Sequence, residues 1–252
     1  MNSHEIYEEL RRYLEDAGFN LLVKIKSSEY DAEAAGKKSS SDFLEDAKSI
    51  ILSGFAGNGF WKAFKRFLDN NPGFKEKHEN PIDSYSRLIF GRLPEILQAE
   101  DGIRYELVFP FGDAATDMDF VKLGMLGGVG VPSLLGILLN PKYGTWISMR
   151  GALVTDIEFG EYDKPLSSFD PCAGCYKPCI TSCPARTLSE NGWDWQACMR
   201  FRMSDDTCSE KCSSRIACPY GKEHEYSAEQ IEHHHAFVLK SVREYFTVGE
   251  NK

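Results

Sequence analysis

The chain has 252 residues, 42% of them hydrophobic and 12% aromatic, which is enough apolar material for an ordinary buried core in one domain, or in a domain with a small appendage. A formal net charge of -9 and a pI near 5.3 argue against a generally basic nucleic-acid-binding surface and leave room only for a local patch. The longest apolar stretch, residues 129–139, is too short to span a bilayer and contains Pro132 and Gly136, so the expectation is a soluble, cytoplasmic protein with neither membrane nor nucleic acid as partner.

Ile6, Leu10, Tyr13 and Leu14 recur at helical spacing and Gly18 ends the pattern, which predicts a helix over residues 3–17. Residues 20–26 then alternate like a strand, and residues 34–41 are small and polar, a loop. Residues 49–52 read as a short buried strand ending in a loop with Gly54, Gly57 and Gly59. Trp61, Phe64, Phe67 and Leu68 mark an amphipathic helix. Residues 81–97 look helical, residues 104–109 extended, and residues 118–130 mix a helical pattern with clustered glycines. Lys142-Tyr143-Gly144 turns the chain into a long strand over residues 145–154. Ser227 with Gln230 makes a capping box for a final helix with Ile231, Val238 and Val242 as its apolar stripe. Helices and strands mix without regular alternation, which predicts an α+β fold.

All eight cysteines fall between Cys172 and Cys218. The run is Cys172-x2-Cys175-x3-Cys179-x3-Cys183-Pro184, then Cys198, then Cys208-x3-Cys212-x5-Cys218-Pro219. Two cysteine groups each ending in Cys-Pro are the sign of ferredoxin-type iron–sulfur ligation, in which the cysteine before proline serves the other cluster. Applied here, Cys172, Cys175, Cys179 and Cys218 hold one 4Fe–4S cluster, and Cys183, Cys198, Cys208 and Cys212 hold a second. The spacing departs from the usual pattern, since Tyr176-Lys177-Pro178 widens one gap to three residues. Two four-cysteine zinc sites and a partly ligated site remain as alternatives. Disulfides are disfavoured by residues 1–5, which show neither a charged n-region nor an apolar h-region.

Leu123-Gly124-Met125-Leu126-Gly127-Gly128-Val129-Gly130, followed by Leu138-Leu139-Asn140-Pro141-Lys142-Tyr143-Gly144, resembles a segment of epoxyqueuosine reductases and corrinoid-dependent reductive dehalogenases, where a like set of cysteines follows in the same order. A longer resemblance joins Asn80-Pro81-Ile82-Asp83 through Phe90-Gly91-Arg92, Asn140 through Trp146 and on to Arg150-Gly151, and Tyr226-Ser227-Ala228-Glu229-Gln230. In order and spacing it is similar to the cobalamin-processing CblC proteins. The resemblance implies a flavin-nitroreductase-like sandwich with a central antiparallel sheet plus a ferredoxin-like iron–sulfur region. Residues 1–168 would be the corrinoid-binding domain, 169–222 the cysteine cassette, and 223–252 a C-terminal helix packing back on the first domain.

The same resemblance implies a reductase that reduces or dealkylates cobalamin or another corrinoid, using an external electron donor. Gly124, Gly127, Gly130, Tyr143, Gly144 and Trp146 would contact the cofactor, the glycines by letting backbone approach a large flat ligand; a tight turn without ligand fits a glycine-rich run equally well. No Asp-x-His-x-x-Gly cobalt-ligand motif is present, Val121 standing where its histidine would be. Arg150 and Arg215 would hold the carboxylates of glutathione or another thiol, with a salt bridge as the plainer role for each. Asp113, or as a second candidate Asp117, would be the proton donor, with a loop-capping role as the alternative. His233-His234-His235 fits an exposed helix face or a ligand contact better than a metal site, because consecutive helical residues diverge. Rival functions are a corrinoid-dependent reductase of a separate organic substrate, a corrinoid chaperone or electron carrier without enzymatic activity, and a flavin nitroreductase. Domains of the nitroreductase type often dimerise, so a homodimer is one expected assembly.

Overall fold

The sequence Ser-Ile-Ile-Leu-Ser-Gly-Phe-Ala at Ser49–Ala56 shows no polar alternation, and every one of these residues is buried. A strand covered on both faces has no solvent side on which to place polar residues. In the computed structural model, which describes residues 2–97, 102–112 and 117–237, this strand lies inside a four-stranded antiparallel sheet. The order is Leu21–Lys26, Ser49–Ala56, Ile147–Thr155, Tyr105–Val108. The fold is therefore α+β with a central antiparallel sheet.

The chain divides into two compact units, the first made of Met1–Val131 and Ile147–Ser168 and containing the sheet. One sheet face packs Ile50, Leu52, Ala152 and Val154 with Tyr30, Phe120 and Leu123, the last three from the helices Ser27–Glu33 and Phe120–Leu126. The aromatic core contains Phe19, Phe55, Phe60, Phe64, Tyr85 and Phe90, nearly all inaccessible. Phe55 and Phe60 stack at 3.9 Å between ring centroids, and Phe19 meets Phe60 and Phe90 edge-on at 5.4 Å each. The helices Ser3–Asp16, Gly59–Asn70 and Pro81–Phe90 enclose the unit. The first starts with a complete Asn2/Glu5 capping box, and the third with an Asn80 cap before Pro81.

Three expectations change. The strand predicted to stop near Leu52 runs on through Gly54 to Ala56, because a glycine is needed there: a Cβ on Gly54 would sit 2.1 Å from the Ser148 carbonyl oxygen. The helical stretch over residues 81–97 is two helices, Pro81–Phe90 and Leu93–Leu97, with the first ending at Gly91. The helix Ser27–Glu33 has no counterpart in the sequence reading, since Tyr30 is its sole large buried side chain and one residue makes no period.

The second unit comprises Pro132–Trp146 and Phe169–Lys252 and has little regular structure among its described residues. It holds the short helices Pro178–Thr181 and Ser213–Ala217, a longer helix Trp195–Ser204, and a hairpin of Leu188–Ser189 with Gly192–Trp193. Residues 228–237 form a final helix. Its cap is half of the expected box: Gln230 N–H donates to Ser227 Oγ at 3.3 Å, while the Gln230 side chain is fully buried and makes no reciprocal bond among the described residues. Val238 and Val242 lie outside the described residues. No helix among the described residues is long and apolar enough to cross a membrane.

Phe60 is enclosed on several sides by other rings, so its removal leaves a hole that the rigid neighbours cannot fill. Phe60→Ala is expected to destabilise the protein by about 3–5 kcal/mol, read as a lowered denaturation midpoint; a loss below 1 kcal/mol would contradict this packing.

Candidate functional site

The eight cysteines of the second unit sit on loops and short helical turns, except Cys198, which lies within the helix Trp195–Ser204, and all are free thiols. They line two cavities. Cys172, Cys175, Cys179 and Cys218 share the first with Pro171, Pro178, Leu139 and Lys177. Cys183, Cys198, Cys208 and Cys212 share the second, with Leu188, Trp193, Arg202, Arg215 and His235 in its wall. These are the two fours that the ferredoxin crossing rule groups. No disulfide joins any of them.

The widened Cys175–Cys179 gap is absorbed locally. Tyr176 is 81% exposed, and Lys177 takes a left-handed conformation at φ 54° before the helix Pro178–Thr181. The extra residue loops outward and Cys179 returns to a buried position. Lys177 N–H donates to Cys175 Sγ at 3.3 Å, a bond that suits a thiolate better than a thiol.

Burial pushes Cys208 up to about 11, reinforced by Cys212, Cys198 and Cys183. Burial likewise raises Cys179, then Cys218 and the other thiols of its four. Cys218 is raised by burial, with Cys175 and Cys172 adding to it. These three thiols thus feel members of their own cavities. Cys183 ends below the usual thiol range: burial would raise it, but hydrogen bonds from Thr187 and Ser214 outweigh that, with Thr187 Oγ1 at 3.5 Å from its sulfur. Among the described residues no group of three or more His, Cys, Asp and Glu side chains is set to hold a metal ion. The thiols are instead spread around cavity walls, and a four-iron cluster needs its ligands farther apart than one ion does.

Of the glycines proposed to admit a ligand, two meet protein instead. A Cβ on Gly127 would lie 2.5 Å from Val23 Cγ2, and one on Gly144 would lie 1.9 Å from the Tyr220 carbonyl oxygen. Gly144 and Gly221, both at positive φ, let two backbone segments cross. Gly124 and Gly130 are buried. Tyr143 packs against the His224 ring at 4.6 Å. Trp146 is 1% exposed and lies beneath the Arg215 guanidinium at 4.7 Å.

Arg150 stands at a β-bulge. Ser53 pairs with Gly151 and Gly54 with Met149, so Arg150 is the unpaired extra residue, and bulges of this kind re-aim a side chain. Its guanidinium forms an ion pair with Asp83, donates from Nε to Ser86 Oγ at 3.2 Å and covers the Phe111 ring at 4.7 Å. Arg215 donates to the Thr145 carbonyl at 2.6 Å and stacks between Trp146 and Tyr226. Asp113 lies outside the described residues.

The histidine triple is not the exposed face that was one of its two expected roles. All three are partly buried, and His235 lines the second thiol cavity. Arg202 donates to its Nδ1 at 3.3 Å and to its carbonyl at 3.4 Å. Burial, then Arg202 and Arg215, push His235 down to about 4, so the ring is neutral at pH 7. Sequence reading passed over Arg202, although its spacing of four from Cys198 on one helix puts both on one face. Thr187, four after Cys183, was likewise passed over.

No protein-family model and no curated protein sequence matches the chain. Solved structures do. Epoxyqueuosine reductase from Streptococcus thermophilus superposes with a TM-score of 0.60 at 17% identity, covering 86% of this chain and 66% of that one. The B12-trafficking protein CblC from C. elegans gives 0.56 at 15% identity, covering 91% of each chain. The catabolic reductive dehalogenase NpRdhA gives 0.53 at 16% identity, covering 94% of this chain and 35% of that one. The chain thus spans about two thirds of the first and about a third of the dehalogenase. At these identities the likeness is one of fold.

Three consequences can be measured. Asp83→Asn removes the carboxylate that pairs with the Arg150 cation, whose side chain is 12% exposed, and is expected to cost about 1.5–3 kcal/mol in denaturant unfolding. In the reduced, metal-free protein, thiolate fraction controls alkylation, so mass spectrometry should find Cys183 modified before Cys208 near pH 7.5. The sign of the pH effect follows from the same burial. Because Cys208 is raised from 9.0 to about 11 on folding, its contribution to stability is complete below about pH 9 and is lost as pH climbs towards 11. Cys208→Ser should flatten that part of the stability profile.

Proposed function

We propose that this protein is a corrinoid-binding iron–sulfur reductase that reduces or dealkylates cobalamin derivatives. The observation that carries the reading is the gathering of eight free thiols, four and four, around two cavities, in a chain whose fold is similar to reductases and to a B12-trafficking protein. The donor set fits: thiolates are soft ligands suited to iron–sulfur clusters, and the Lys177 N–H to Cys175 Sγ bond and the Thr187 contact to Cys183 would help hold sulfur in its charged form. When bound, such clusters supply single electrons at potentials that reach roughly -700 mV at the low extreme, taken from an external donor.

In this reading the two fours of cysteines hold the clusters in a ferredoxin-like region, and the sheet unit is a nitroreductase-like body for the corrinoid, with Gly124 and Gly130 among its candidate contacts. Raised thiols such as Cys208 must lose protons before they can ligate, so loading would release protons. Asp113 is assigned as proton donor. Arg150 can meet the carboxylate of glutathione or another thiol only by exchanging Asp83 for it, and Arg215 is assigned first to holding Trp146 and Tyr226 in place. The second reading, a corrinoid-dependent reductase of a separate organic substrate, is favoured by the TM-score of 0.60 to an epoxyqueuosine reductase.

The test is anaerobic purification with iron, sulfide and zinc assays, followed by optical titration with cob(II)alamin. About eight irons and eight sulfides per chain, as two 4Fe–4S clusters require, with a shift of the corrinoid spectrum to a base-off form, are the expected result. Zinc without sulfide would overturn the electron-transfer part, and clusters without any corrinoid shift would overturn the cobalamin part. Turnover of an alkylcobalamin beyond one equivalent would separate an enzyme from a chaperone.

A further inference from the structure

The two thiol cavities differ in the charges built into their walls. In the wall of the first the cation is Lys177, which pairs with Glu190; Lys222, outside that wall but with a charge that reaches Cys218, pairs with Glu225. The second is walled by two guanidinium groups, Arg202 and Arg215. Arg202 is 7% exposed. Its partners are the Nδ1 and carbonyl of the neutral His235, and that of Arg215 is the Thr145 carbonyl. Neither meets a carboxylate among the described residues, and the Nε–H of each is buried without an acceptor there.

A buried cation without an anion is costly, and an unfilled buried donor adds to the cost. Arg202 lies where an anion would complete both requirements. It is four residues from Cys198 on the same helix face, and its charge acts on the sulfurs of Cys198 and Cys208. A cluster held by four thiolates is an anion that gains one more negative charge on reduction. Its potential rises with nearby positive charge, with hydrogen bonds to its sulfurs and with exposure to water, because each favours the more negative reduced form.

Resting on the iron–sulfur reading above, we infer that Arg202 is the counter-charge and sulfur hydrogen-bond donor of the site formed by Cys183, Cys198, Cys208 and Cys212, and that it makes this site the higher-potential one. An electron entering the pair then settles on the second site, and the first is the stronger reductant. Arg202 is a positioning and tuning residue; Arg215 adds charge from the same cavity's wall, and His235 holds Arg202 in place.

The experiment is a reductive titration of the anaerobically purified protein followed by EPR of the reduced clusters, with iron and sulfide measured on the same samples. Cys212→Ser changes ligation only in the second four and so identifies that site's signal. In the wild-type protein the second site should be reduced first. Arg202→Gln, which removes the charge, should shift the electron-sharing constant between the sites at least tenfold towards the first, equivalent to 59 mV for one electron. Arg202→Lys should keep most of the wild-type value, and Lys177→Gln should move the first site less than Arg202→Gln moves the second. Equal potentials, a reversed order, or an unshifted second site in an Arg202→Gln protein with full iron and sulfide would overturn the inference while leaving the cluster reading intact. Protein without iron and sulfide would overturn both. Should the Gln variant shed its second cluster, the wild-type order and the Lys variant still decide.

Discussion

The second unit is organised around its thiols. Its described residues contain few fully buried large apolar side chains: Leu138, Leu139, Trp146, Leu188 and Tyr226, with Cys179 and Cys218 themselves among the buried set. Its helices are mostly single turns. A segment this poor in apolar burial and regular structure draws little stability from the hydrophobic effect, and natural folds of that kind rely on cross-links, metals or clusters. The turns of the unit follow from the same constraint: Lys177 and Arg186 both adopt left-handed backbone, one before Cys179 and one after Cys183, because the chain must double back repeatedly to present sulfur from four directions.

The sheet unit answers to a different requirement. Its central strand is buried along its full length, so both layers of helices must be in place before that strand loses its contact with water. The aromatic cluster on one side and the aliphatic cluster around Ile50, Leu52 and Leu123 on the other supply those layers. The bulge at Arg150 is the one break in an otherwise regular central pair. It turns a charged side chain towards Asp83 and Ser86, so a residue that reads from sequence as a ligand contact is held by the fold itself.

Much of this was legible in the sequence because it rests on period or on residue type. The helix Ser3–Asp16 shows a full apolar stripe, the strand Leu21–Lys26 an extended pattern, and the cysteines declare themselves by chemistry and by the prolines that follow them. What was not legible depends on what lies opposite a residue. Gly127 and Gly144 carry no mark to say whether a ligand or another stretch of backbone closes on them, and the structure puts Val23 and Tyr220 there. The helix Ser27–Glu33 is hidden for want of a stripe, and Gly54 reads as a turn although it belongs to a strand.

Arg202 shows the same limit most sharply. Between Cys198 and Cys208 it looks like a solvated surface charge, as most arginines in a short polar helix are. Only the structure places it in the cavity wall, in contact with His235 and sharing that wall with four thiols. Two cavities built from the same ligand type can differ in function only through what surrounds the sulfurs, since the ligands themselves are identical. Lysines answered by glutamates stand near the first site, whereas guanidiniums answered by no carboxylate among the described residues wall the second. In the iron–sulfur reading the sulfurs would set what can bind, and the guanidinium groups beside them how the two sites divide the work.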